Sequence, residues 1–62
     1  MELQTGTLVR CTADPRDIWR VTRLTVKTVW MVRCDERDEF DLSGPTEWTF
    51  RRTTVLRDFH PA

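Results

Sequence analysis

The sequence predicts an all-β fold, a small barrel of about five short strands forming a single domain over residues 1–62. Three observations lead there. Alanine occurs only at Ala13 and Ala62, whereas threonine and valine, which suit a pleated half-buried surface, recur throughout. Apolar and polar residues alternate with period two in several stretches bounded by turn residues. A chain this short buries only about 60% of its unfolded surface. A β chain of this size therefore closes its sheet or pairs with a second copy, since either removes exposed strand edges. A homodimer stays open as an alternative.

The elements follow in order. TGTLVRCT, residues 5–12, is the first strand: Gly6 starts it, and Thr7, Val9 and Cys11 alternate with Leu8 and Arg10. ADPRD, residues 13–17, is a turn, with φ set by Pro15 and flanking aspartates able to cap it. IWRVTRLTV, residues 18–26, is the second strand, with Trp19, Val21 and Arg23 on one face and Ile18, Arg20, Thr22 and Leu24 on the other. A tight turn near Val26–Thr28 leads into TVWMVRC, residues 28–34. Trp30, Val32 and Cys34 share one face of this third strand, and Val29, Met31 and Arg33 the other. Apolar residues on both sides fit a central strand, or one whose outer face meets a partner.

Residues 35–46 form the longest loop, punctuated by Ser43-Gly44-Pro45 and pinned by Phe40 and Leu42. EWTF is a short strand with Trp48 and Phe50 on one face, RRTT a single 3₁₀ turn, and VLRDF the closing strand with Val55, Leu56 and Phe59. The expected core is Val9, Val21, Val32, Phe50 and Leu56, with Trp19 or Trp30 packed against them.

Ten basic residues, nine of them arginine, balance ten acidic ones. Net charge therefore supplies no general affinity for nucleic acid. The distribution is uneven: Arg10, Arg16, Arg20, Arg23, Lys27 and Arg33 precede the acidic run Asp35, Glu36, Asp38, Glu39 and Asp41. No apolar stretch suits a signal peptide or a membrane span of roughly 20 residues, so the expected location is the cytoplasm, with no membrane partner. Cys11 and Cys34 make neither a disulfide framework nor a zinc-binding pair and are read as reduced, small, buried side chains. The acidic run lacks the glycine and ligand register of an EF-hand, and reads first as a solvated loop. His60, the lone histidine, would need a positioned neighbour for catalysis and, two residues from the end beside Pro61, reads as a solvated tail residue. With no nucleophile–base pair, metal cluster or Gly-rich phosphate loop, the chain is read as a non-enzyme without a cofactor. The arginine-rich composition and small size point to a GC-rich phage or plasmid gene.

A Gly-x-x-Val-Arg strand, a turn, a Trp-containing hairpin, a variable loop, a short strand, one helical turn and a last short strand follow one another. This order resembles the SH3-like five-stranded barrel of many small bacterial and phage proteins. Within that group, EWTFRRTTVLRDF, residues 47–59, has the apolar spacing of the C-terminal segment of the type II, plasmid-borne dihydrofolate reductases. GTLVR at 6–10 and the following Trp19 resemble that family's start. The family's folate- and nicotinamide-binding segment has the sense Val-Gln-Ile-Tyr. The matching positions here, Trp48, Thr49, Phe50 and Arg51, lack the amide and the phenol, so the resemblance does not imply reductase activity.

Two binding surfaces follow. The leading expectation is a protein-interaction module, an adaptor or inhibitor, that meets its partner through an aromatic and arginine rim. Trp48 would be the floor, Arg51 and Arg52 one wall, and Asp38 and Glu39 of the acidic loop the other. Such carboxylates repel phosphate, so this rim suits a protein partner. The alternative is a nucleic-acid-binding accessory protein. Arg20 and Arg33, facing outward across neighbouring strands with Trp30 and other hairpin cations nearby, would form a basic stripe with a stacking platform. Against both stands the plainer expectation that all three tryptophans are core.

Overall fold

A computed structural model describes residues 2–34 and 47–62. Strand β1 spans Leu8–Cys11, β2 Ile18–Leu24, β3 Thr28–Arg33 and β4 Glu47–Arg51; helix α1 spans Arg52–Asp58 and β5 Phe59–Pro61. All strand pairs are antiparallel, in the order β4-β3-β2-β1-β5. The sheet is strand-dominated, as the alternation predicts, but it is not closed: β4 and β5 lie at opposite ends of the order.

Local chemistry sets the turns. Gly6 has φ +93°, a conformation that side chains with a Cβ rarely adopt, and its N–H donates to Val21 O at 2.8 Å. At the next turn, Asp17 N–H donates to Asp14 O at 2.9 Å and Arg16 N–H to Asp14 Oδ1 at 3.1 Å, with Pro15 between them. The β2–β3 turn closes on Thr25, whose N–H donates to Thr28 O at 2.8 Å and whose hydroxyl accepts from Thr28 N–H at 3.1 Å.

The core is Leu3, Val9, Trp19, Val21, Val29, Met31, Val55 and Phe59, with Cys11, Leu24 and Phe50 packed against it. Phe50 and Phe59 both meet the Trp19 ring edge-on, with centroids 5.3 and 6.4 Å away. Val9, Val21 and Trp19 thus fill the places expected of them, whereas Cys11 is only half-buried and Cys34, just past the end of β3, is exposed rather than buried. On β3, Val29 and Met31 are buried while Trp30 and Val32 are only half-buried. The register explains this: Met31 opposes the buried Val21, so Val32 falls opposite the exposed Arg20.

Two further expectations are corrected. In β2, a bulge between Val21 and Arg23 inserts one residue, so Arg23 opposes Trp30 and Leu24 opposes Val29. Leu24 thereby turns to the core, and Thr22 and Arg23 both point outward. Beyond β4, the expected 3₁₀ turn and closing strand are replaced by a seven-residue α-helix and a strand of three. Helical spacing puts Val55 inside, four residues before the buried Phe59, and leaves Leu56 46% exposed. Leu56 is therefore not a core residue. The helix has no side-chain N-cap and no acid in its first turn. Burial of Val55 holds it, with Arg52 N–H donating to Lys27 O at 2.8 Å.

Candidate nucleic-acid interface

Residues directly opposed across neighbouring strands share a face, so the register assembles the outer surface of the sheet. Leu8, Arg20, Val32 and Glu47 form one row across four strands. Arg23, Trp30 and Thr49 form the next, and Thr28 and Arg51 a third. On the other flank, Arg10 stands between Ile18 and His60. Arg20, Arg23 and Arg51 are thus direct or diagonal neighbours of Trp30 on one surface, and Arg10 lies on the same surface two strands away on β1. Arg20, Arg23 and Arg51 are exposed, and Arg10 and Trp30 half-buried. Trp30 lies on the central strand β3, and the Arg23 guanidinium sits 4.5 Å from its ring centroid.

Among the strand residues described, Glu47 is the sole acid. The Thr22 hydroxyl donates its one proton to this carboxylate and lies 3.2 Å from Trp30 O, and Arg23 Nη2 donates to the carboxylate at 3.2 Å. The Thr22 hydrogen bond, aided by the Arg23 charge, holds the Glu47 carboxyl below its ordinary range. This carboxylate is engaged by its own neighbours, and Arg10, Arg20 and Arg51 make no ion pair among the described residues.

The expected pairing of Arg20 with Arg33 is corrected. Arg33 opposes Trp19 and so lies on the core side. There its guanidinium sits 4.9 Å from the Trp19 ring centroid and 3.1 Å from Asp17 Oδ1. Arg20 keeps Trp30 as a face-mate and gains Arg23 through the bulge. Arg10, outside the expected stripe, joins this face because strand alternation sets it opposite in sense to the buried Val9.

Of the expected rim, the described residues Trp48, Arg51 and Arg52 do not meet at one edge. Trp48 lies on the core side of β4, edge-on to Trp19 at 6.4 Å and 53% exposed. Arg51 faces outward at the other end of β4, three residues or about 10 Å along the strand. The Arg52 guanidinium donates to Thr25 O at 3.3 Å and so clamps the helix to the β2–β3 turn. Asp38 and Glu39 lie outside the described residues.

Two shallow grooves flank the sheet. One, about 390 Å³, is lined by Val26, Lys27, Thr28, Arg51 and Thr53. The other, about 350 Å³, is lined by Cys11, Thr12, Ala13, Arg57 and Asp58. In the second, both Arg57 nitrogens donate to Asp58, at 3.0 and 3.1 Å, so its charges satisfy each other. Among the described residues no three His, Cys, Asp or Glu side chains gather to hold a metal ion, and no helix is long and apolar enough to cross a membrane.

No known protein family, curated protein or solved structure matches this chain. Its function is therefore argued from the geometry of these surfaces.

Proposed function

We propose that the protein is a non-enzymatic binding module whose outer sheet face holds single-stranded nucleic acid. The observation that carries this is the placement of Arg20, Arg23 and Arg51 beside Trp30 on one side of the sheet, with Arg10 farther along the same side. Arginines on several strands offer planar forks to phosphates, and an aromatic ring among them offers a base a stacking surface. Five of the ten acids fall in residues 35–41, so the rest of the chain carries nine basic residues against five acidic. The architecture fits the same reading. The sequential order β1 to β4, with β5 returning to β1 after a helix, supports an SH3-like small barrel, left open between β4 and β5.

Anisotropy of a labelled oligothymidylate tests it. Trp30→Ala weakens binding by about 5- to 150-fold, since stacking one base is worth about 1–3 kcal/mol. Trp48→Ala leaves it unchanged. Absence of binding at low salt by the parent protein sinks the proposal.

A protein partner is the second reading, favoured by one observation: the Trp48 indole is 53% exposed on an edge strand. Exposed aromatic anchors are typical of protein interfaces. A nuclease-resistant partner captured by the parent and lost in Trp48→Ala, with Trp30→Ala unaffected, establishes this reading over the first.

A further inference from the structure

We propose that the groove at the β2–β3 turn is a subsite for one backbone phosphate of the strand lying on the outer face; this rests on the nucleic-acid reading above. Two cations from different elements line it, Lys27 from the turn and Arg51 from the end of β4. The hydroxyls of Thr28 and Thr53 line it too, and each can donate to a phosphate oxygen. No acidic side chain is among the described residues that line it. Glu47, the acid of the sheet face, sits at the far end of β4 from Arg51.

The walls are braced independently of any ligand. Arg52 N–H donates to Lys27 O at 2.8 Å, and the Arg52 guanidinium donates to Thr25 O at 3.3 Å. The turn that presents Lys27 is thereby tied to the start of α1. The groove is also continuous with the outer face, because Arg51 belongs to both. Arg51 stands two residues, about 7 Å, beyond Thr49, the register partner of Trp30. One extended nucleotide covers that distance, so a base on Trp30 places a neighbouring phosphate at the groove. Val26, 83% exposed at the lip, offers an apolar edge to the adjoining sugar.

The salt dependence of binding reads the subsite directly. Affinity for a labelled oligothymidylate is measured between about 50 and about 200 mM KCl, where each neutralised phosphate of a single strand contributes about 0.7 to the slope of log K against log salt. The double variant Lys27→Gln with Arg51→Gln lowers that slope by about 0.7, one phosphate contact. Arg57→Gln, which removes a cation paired with Asp58 on the helix, leaves the slope as it was. In the parent protein, adding the oligonucleotide shifts the amide resonances of Lys27, Thr28 and Thr53, a readout that needs no variant to fold. A strand that binds with an unaltered slope in the double variant, or without moving those amides, overturns the subsite; the outer-face reading then rests on Trp30, Arg20 and Arg23 and is decided by Trp30→Ala. An equal loss of slope in Arg57→Gln also overturns it, because net charge alone would then account for the effect. No binding by the parent overturns both.

Discussion

Thr22 is the residue that ties the outer face together. Its hydroxyl reaches Trp30 O and the Glu47 carboxylate, spanning β2, β3 and β4. It can do so because the bulge turns both Thr22 and Arg23 to the same side. The consequence is chemical as well as geometric. The Thr22 hydrogen bond, with help from Arg23, keeps the Glu47 carboxyl below its ordinary value of 4.5. Asp58, hydrogen-bonded by Arg57, is likewise held below 3.8. Each carboxyl therefore binds a proton less readily in the folded chain than in the unfolded one, so acid favours unfolding. The stability from Glu47 is complete above about pH 4.5 and is lost as pH falls through the lowered folded value. Glu47→Gln flattens the fall in melting temperature between about pH 5 and about pH 3, across the usual carboxylate range. The effect is small, because both partners are solvated. Identical pH profiles for parent and variant would show that the three-strand link does not persist in solution.

At the scale of elements, α1 departs most from what residue types suggest. Its sequence, RTTVLRD, brings two β-branched threonines, no N-cap and no acidic first turn. Packing decides it instead, through Val55 and the i+4 contact face it shares with Phe59. Val55→Ala therefore costs about 2–3 kcal/mol, the scale of exposing a buried valine and leaving a cavity. Leu56→Ala costs less than about 1 kcal/mol, as for a partly exposed side chain away from the core. Denaturant melts of the two variants check this, and the reverse ranking would place α1 one residue out of phase. The same contrast shows which parts of the fold were legible in the sequence. Strand identity in β1 to β4 followed from alternation, and turns followed from Gly6, Pro15 and the aspartates. Core assignment failed on β3, where both faces are apolar and only the register against Val21 decides between Met31 and Val32. It failed again after β4, where a tertiary contact overrides weak helix propensity. On the candidate site, Arg20 and Arg51 were legible as outward residues once strands were drawn, whereas Trp30 shares its face with Val32, which the alternation had put inside. Arg23 was not legible either, because a bulge inverts the alternation that would have hidden it. Arg33 failed for a simpler reason, since its register partner is Trp19.

Across the whole molecule, the sheet separates two kinds of surface. One side carries the aromatic and aliphatic core, covered by α1 and Leu3, and the other carries arginines, threonines and Trp30. The order of strands also has a temporal meaning. β2 and β3 join through a turn of three residues, whereas β1 and β5 meet across about fifty residues of chain, Arg10 against His60. Closing a long loop costs more entropy than closing a short one, so the β2–β3 hairpin is the natural nucleus and the β1–β5 seam the last to zip. Substitutions at Val21 or Met31 then slow refolding, while substitutions at Phe59 mainly hasten unfolding. Stopped-flow folding and unfolding rates distinguish the two classes, and a refolding rate as sensitive to Phe59 as to Met31 would reverse the order. A seam that forms last is also the first to open, so a protease acting on the native protein should find the Phe59–Pro61 strand before any of the others.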